Sequence, residues 1–386
     1  MRDEGFADRA LLLSARGLRA FAFGFSAVLL GVHLERAGLA PAQIGLTLGI
    51  GLAAASLTGV VAAALARPLG RRRTLAVVGM LMALTGLDLV LASEPALLIL
   101  SGATGMLGAA SVDYGPFASV EQAVLTETAS PAARNRAFGR YSLTGGLFNA
   151  FGGLSSAVLA GTRAYFLLYA AIGLMTAALP LLMSRRVEGE PVLRVFGSFK
   201  PLAGLAALFA LDSLGGGFVA NAVIAYWLHV RFGAGPGLLG PVFAGVAVMQ
   251  SLSYEVSSRL ADRVGLVNTM VFTHLPSNLL LLLVPFSPAL PWAIALLLAR
   301  FALSQMDVPA RQAYIVSIVP PGERAGAVAM TGAVRGVAMS FGPTLAGVAI
   351  AAAAFGLPFF AGGGLKIVYD LALYAGFRNR RAEHET

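Results

Sequence analysis

Stretches of about 20 apolar residues follow one another along almost the whole chain, the length a helix needs to cross the hydrocarbon of a bilayer. Turn residues and charges cut them into twelve spans, near 11–34, 42–66, 74–93, 95–119, 140–161, 164–183, 200–229, 238–258, 267–285, 289–317, 326–353 and 357–377. In lipid every backbone N–H and C=O needs a partner inside the protein, so segments of this kind can only be helices. Composition agrees, with 57% of the 386 residues hydrophobic and 12% charged. A mean hydropathy of +0.78 leaves too little polar surface for a water-soluble domain. The opening charges stand close against the first apolar run, with no small-residue cleavage site, so that run is expected to remain as a helix. Cysteine is absent and the four histidines are scattered, which excludes disulfides, thiolate metal sites and redox chemistry. No cofactor and no metal site is expected.

The expected fold class is therefore all-α and integral to the membrane, as twelve transmembrane helices in two six-helix bundles. Residues 1–183 form the first bundle, 184–199 a polar cytoplasmic linker, and 200–386 the second bundle with a short basic tail. Basic residues test the count, because cytoplasmic loops are rich in Lys and Arg. Arg2 and Arg9, Arg67 and Arg71 to Arg73, Arg134, Arg136 and Arg140, Arg185, Arg186, Arg194 and Lys200, Arg259 and Arg263, Arg324, and Arg378, Arg380 and Arg381 fall on one side. The opposite loops carry Arg36, Arg163 and Arg231. Twelve spans with both termini cytoplasmic satisfy this alternation, and an error of one span breaks it. The same clustering explains the net charge of +9 as a topology signal rather than a nucleic-acid surface.

The two bundles are copies. A shift of 190 places Gln122, Ala123, Pro131, Arg134, Ala137, Gly146, Phe151 and Gly152 over identical residues at 312, 313, 321, 324, 327, 336, 341 and 342. A shift of 195 does the same for Arg36, Gly38, Pro41, Gly45, Leu65, Ala66 and Gly70 against 231, 233, 236, 240, 260, 261 and 265. An even number of spans separates the copies, so both have the same orientation, as in transporters built from parallel repeats. LADRVG, with Asp262, Arg263 and Gly265, follows span eight, and LARPLGRRR, with Gly70, Arg71 and Arg72, follows span two. On these loops and the repeat, the chain resembles the major facilitator superfamily over nearly its whole length. The resemblance implies that the loop residues, with Arg134 and Arg324, belong to a cytoplasmic gate. The first loop has Arg67 where the family carries Asp, so the latch that Asp makes is not implied there. The stretch GVAMSFGPTLAG at 336–347 resembles the Gly-Pro helix of the family's exporters, although it lies in span eleven rather than five.

Ionisable residues inside a span are functional candidates, because lipid makes them costly without a partner or cavity. At 1.5 Å per residue, Asp212, Arg300, Arg335, Lys366 and Arg19 lie about 13 to 18 Å inside their spans, near the midplane. Asp113, with its neighbour Tyr114, and Asp307 lie about 24 to 27 Å from the outer start of theirs, nearer the cytoplasm. Arg300, Ser304, Asp307 and Arg311 share one face of span ten by helical spacing. Asp307 and Arg311, four apart, can neutralise each other. Lys366 and Asp370 form a second such pair, for which mutual neutralisation is the better reading. Glu121 aligns with Arg311 in the repeat, so it is either half of a cytoplasmic gate pair across the bundles or a loop-end charge. Asn149, His274, and Gln250 with Tyr254 are polar at useful depths, with satisfied interhelical hydrogen bonds as the plainer reading. His33 and His229 lie at outer span ends, where solvent-facing roles suffice.

No Gly-x-x-x-x-Gly-Lys-Ser/Thr loop is present, so ATP does not drive the protein directly. No clustered catalytic set at one depth argues for an enzyme. The expected function is secondary active transport of a small organic solute by alternating access, as a monomer in a bacterial inner membrane. Two versions stay open: proton-coupled export, and uptake or exchange of an organic anion through a basic central cavity.

Overall fold

The computed structural model describes residues 2–108, 115–128, 134–156, 158, 161–188, 203–317, 319 and 324–377. Among them are fifteen α-helices. The first seven are α1 (Arg2–Arg36), α2 (Pro41–Leu65), α3 (Arg71–Leu91), α4 (Pro95–Ser101), α5 (Pro116–Thr128), α6 (Arg134–Ser155) and α7 (Thr162–Leu181). The rest are α8 (Ala203–Phe218), α9 (Asn221–Phe232), α10 (Pro236–Val264), α11 (Leu266–Leu283), α12 (Leu290–Ser304), α13 (Asp307–Ser317), α14 (Arg324–Ala351) and α15 (Leu357–Phe377). They group into two compact units, one of Met1–Pro191 with Asn221–Ala244, the other of Val192–Ala220 with Gly245–Thr386. The second half of span seven and the start of span eight thus group with the first unit. Most of the expected linker lies outside the described residues.

Eight helical stretches among the described residues are long and apolar enough to cross a membrane. The expected spans missing from that set are four, five, ten and twelve: four and ten are divided into shorter helices, twelve carries the buried charges of Lys366 and Asp370, and five carries Arg140 among glycine and polar residues. Elsewhere large apolar side chains such as Leu84, Leu91, Phe151 and Phe341 stand exposed on the outside, as a protein solvated by hydrocarbon allows.

Two spans expected to be continuous are interrupted, at matching places. Span ten breaks between Ser304 and Asp307, because a proline at 309 has no N–H to give the Gln305 carbonyl. That carbonyl accepts from Val308 N instead, at 3.3 Å, and the Met306 carbonyl accepts from the Ser257 hydroxyl of α10. The continuous face of Arg300, Ser304, Asp307 and Arg311 is therefore split between α12 and α13. Span four ends in a 3-10 turn at Gly102–Thr104, and Gly105 follows at φ 72°. Its freed carbonyls also find hydroxyls: Ser26 donates to Leu107 O at 2.6 Å, and Tyr169 donates to Met106 O. Helix resumes at Pro116 in one copy and Asp307 in the other, one residue from coincidence under the shift of 190. Irregular backbone at membrane depth survives only where protein supplies the missing hydrogen bonds.

The repeat is equally visible in packing. In the first unit a Cβ on Gly152 of α6 would collide with the carbonyl of Phe21, and one on Gly24 of α1 with that of Asn149. In the second unit the same holds between Gly342 of α14 and the backbone of Gly217 in α8, and between Gly217 and Met339 O. Small residues here let helix backbones touch, which is how helices associate where lipid removes the hydrophobic drive. Gly70 and Gly265 begin α3 and α11 at φ 82° and 87°, a conformation open to glycine and costly for other residues. In each case a threonine four residues on, Thr74 or Thr269, donates to the glycine carbonyl at 2.8 Å.

Candidate functional site

In the first unit, Arg19 of α1 meets Glu121 of α5 in a two-pronged ion pair, Nη1 to Oε1 at 2.9 Å and Nη2 to Oε2 at 2.6 Å. Glu121 Oε2 also accepts from the Tyr141 hydroxyl of α6 at 2.7 Å. Phe117, one turn before Glu121, places its ring 4.1 Å from the Arg19 guanidinium carbon, and Arg16 lies 4.2 Å over Tyr141. Gly145 leaves the room Arg16 needs, since a Cβ there would fall 2.5 Å from its Nη2. Arg19 and Glu121 are almost fully buried. Glu121 lies inside α5 rather than at a loop end, and its partner in this structure is an arginine of its own unit. The reason is bidentate geometry, which a buried carboxylate needs to offset the loss of water.

The second unit holds a larger set. Asp212 of α8 takes Lys366 Nζ of α15 on Oδ1 at 2.6 Å and Arg311 Nη1 of α13 on Oδ2 at 3.4 Å. Arg311 also binds Asp307, one turn earlier, at 2.6 Å. His274 of α11 bridges two acids, with Nδ1 2.8 Å from Asp370 Oδ1 and Nε2 3.8 Å from Asp212 Oδ1. Asn278, one turn further, donates to Asp370 Oδ2 at 2.9 Å. Arg335 Nε of α14 donates to the Ser213 hydroxyl at 3.0 Å. Arg300 of α12 is buried beside the Phe301 ring, and its Nε and Nη1 have no hydrogen-bond partner among the described residues.

The pairing of Lys366 with Asp370, expected from their spacing, is corrected here. Gly215 and Gly216 of α8 open a channel for the lysine stem, so that a Cβ on Gly215 would meet Lys366 Cγ at 3.0 Å. The ammonium thus passes Asp370 and reaches Asp212, while His274 and Asn278 occupy both oxygens of Asp370. Counting Asp212, Asp307 and Asp370 against Arg300, Arg311, Arg335 and Lys366, the set carries one excess positive charge with His274 neutral. Local spacing could find each ion; it could not find that a glycine run on a neighbouring helix redirects one of them.

The remaining candidates are dispersed. Asn149 donates to Ala20 O at 3.4 Å inside the α1–α6 crossing. Arg71 N donates to the Glu188 carboxylate, Arg71 Nη1 to Val187 O at 3.1 Å, and Arg72 Nε to Pro180 O at 3.3 Å. An acid outside the expected set, Glu188 from the start of the linker, therefore sits on the positive N-terminal end of α3, next to the loop that lacks the family's Asp. Gly265 caps α11, and Arg263 is exposed at the end of α10. Asp113 and Tyr114 lie outside the described residues, as do the side chains of Arg134, Asp262 and Arg324.

Two interrupted spans, each beside a buried ionic cluster and joined by a parallel repeat, are the build of a membrane transporter. The sequence profile of the Major Facilitator Superfamily matches residues 12–211 and 205–386. The chain belongs to the Major Facilitator Superfamily. An uncharacterized membrane protein of Saccharomyces cerevisiae is 25% identical over 421 residues, covering 96% of this chain and 94% of the yeast protein. Among solved structures, a mutant form of the nucleoside transporter NupG superposes with a TM-score of 0.77 at 14% identity, covering 96% of this chain and 99% of that one. A D-xylose-proton symporter gives 0.75 at 14% identity, with 96% and 98% covered. The human organic anion transporter MFSD10 gives 0.67 at 16% identity, with 96% and 99% covered. At such identities these structures share the fold alone. As a Major Facilitator Superfamily member the protein is a multi-pass membrane transporter of a small molecule, not an enzyme.

Proposed function

We propose that this transporter moves a small organic solute by alternating access, as a proton-coupled exporter, with coupling at Asp212, His274 and Asp370. The observation that carries the coupling is His274 standing between two buried carboxylates, 2.8 Å from Asp370 and 3.8 Å from Asp212. Histidine gains and loses a proton in the physiological range. In the neutral ring Nδ1–H donates to Asp370, and Asp212 is held by Lys366 and Arg311. A proton on Nε2 turns His274 into a second cation facing Asp212, where it competes with Lys366. The clamp between α8 and α15 then loosens while that between α8 and α11 tightens, and one unit has two arrangements chosen by a proton. The direction rests on the exporter-like stretch at 336–347, and the bacterial inner membrane with cytoplasmic termini on the distribution of basic loops.

A thermal-shift screen of the purified protein against organic anions and cationic amphiphiles identifies a stabilising compound. In proteoliposomes an imposed pH gradient should then drive that compound uphill. His274→Gln should lose the uphill component and keep downhill exchange. Uphill transport undiminished in His274→Gln would exclude the coupling site.

A second reading, movement of an organic anion through a basic central cavity, is favoured by Arg300. Its buried Nε and Nη1, with no acceptor among the described residues, are costly to leave unpaired, and an anionic group supplies the acceptors. On this reading the screen returns a carboxylate, and Arg300→Ala lowers its affinity by about 10-fold or more, the cost of a lost charged hydrogen bond. Equal affinity in Arg300→Ala removes the reading.

A further inference from the structure

A separate contact lies at the end of the first unit away from Arg71. There α1, from the first repeat, runs against α9, from the second, so closely that a Cβ on Gly31 would come 2.9 Å from the Tyr226 Cβ. One turn further, the Tyr226 hydroxyl donates to Glu35 Oε1 at 3.3 Å, and His229 Nε2 stands 3.1 Å from Glu35 Oε2. The other ring nitrogen, Nδ1, is 2.9 Å from the carbonyl of Ala234.

The hydrogen inventory of this contact is decisive. A carbonyl oxygen only accepts, so the hydrogen of a neutral His229 ring sits on Nδ1. Nε2 is then a bare lone pair facing a carboxylate oxygen, and the two repel. The contact becomes attractive with one further proton, carried either by the imidazole as a cation or by Glu35 as the acid. The charged groups contributed by the packed helix ends are Arg36 of α1, Arg163 of α7 and Arg231 of α9. Arg231 lies 5.5 Å over the Phe232 ring. His33 is buried and engaged elsewhere, with Nδ1 2.8 Å from Thr162 Oγ1 and Nε2 2.7 Å from Leu89 O. Glu35 is the acid that α1, α7 and α9 bring to this contact.

We propose that Glu35 and His229 form a proton-binding latch that ties the end of α1 to the end of α9 while protonated and releases it when the proton leaves. The latch rests on the alternating-access reading, since parting the repeats at one end is what it controls. It is a second proton site, on the opposite side of the molecule from the basic loops and separate from His274.

The chain has no cysteine, so spin labels can be placed singly at Ser93→Cys and Leu238→Cys, both exposed, one on each repeat. Double electron–electron resonance on the full-length protein in nanodiscs should show a short separation at acid pH. A longer one should grow as the pH rises through the range in which histidine titrates, about 5 to 8. In Glu35→Gln the amide donates to the neutral ring, and in His229→Lys the charge is permanent, so both variants should keep the short separation throughout. A parent whose separation ignores pH, or a Glu35→Gln protein that still responds as the parent does, overturns the latch. If no pH and no stabilising compound ever yields a second population, alternating access fails along with it.

Discussion

Glu121→Ala should cost about 3 to 5 kcal/mol of stability, the usual penalty for removing one partner of a buried ion pair. The change strands the Arg19 guanidinium and the Tyr141 hydroxyl, both of which lose their buried acceptor. Glu121→Gln keeps one carbonyl acceptor and should lose less. The pairing also predicts a rescue. In the triple variant Arg19→Met, Glu121→Leu and Tyr141→Phe neither charge nor the hydroxyl that Glu121 accepted remains, and well-packed apolar residues often replace a buried pair at little cost. Stability is read from unfolding of the purified protein in mixed micelles. A Glu121→Ala protein within about 0.5 kcal/mol of the parent, the range of a neutral surface change, would show that the pair holds nothing together.

The second large effect belongs to Gly342. A side chain there would enter the backbone of Gly217 on α8, and no rotamer relieves a clash with main chain. Gly342→Val should force α8 and α14 apart at their crossing and cost more than about 3 kcal/mol, beyond ordinary overpacking. Gly152→Val, at the equivalent crossing of α1 and α6, should do the same to the first unit. Gly364→Val is the control, since nothing lies within 4 Å of a Cβ there. Loss of monodisperse protein on gel filtration for the first two, and not for the control, is the expected pattern. Normal behaviour of Gly342→Val would mean that the crossing is looser than described.

These two cases mark how far the sequence could be read. Gly152 over Gly342 is visible as a match between the repeats, and the helical spans follow from hydrophobic length, because both depend on residues close in sequence or on a fixed shift. The superfamily loops at Gly70 and Gly265 were legible for the same reason: a positive φ at the start of a helix imposes a glycine. Partner choice was not legible. Lys366 and Asp370 satisfy the spacing rule for an ion pair, yet the pair does not form, because Gly215 and Gly216, some 150 residues earlier, admit the lysine to Asp212. Arg19 finds Glu121 across 102 residues, with no local pattern in either segment to announce it.

The sequence is silent on the partner of His229 for a different reason. At an outer span end a histidine needs no explanation, and its contact with Glu35 exists only once α9 lies against α1. In the sequence Glu188 is one charge in a polar linker. The signal was present, since the loop before α3 lacks its Asp and the N-terminal end of a helix attracts an acid from elsewhere. The breaks in spans four and ten were partly foreseeable, from the glycines around Gly105 and from Pro309, but hydropathy alone reads through both.

Proton release on solute binding tests the central claim most directly. Purified protein in weakly buffered detergent, mixed with the compound that stabilises it most, should release or take up about one proton, read with a pH dye, because the proposed coupling site has one imidazole between its two carboxylates. His274→Gln should still bind the compound and exchange none. Binding without proton movement in the parent, or the same proton signal in His274→Gln, would contradict coupling at Asp212, His274 and Asp370.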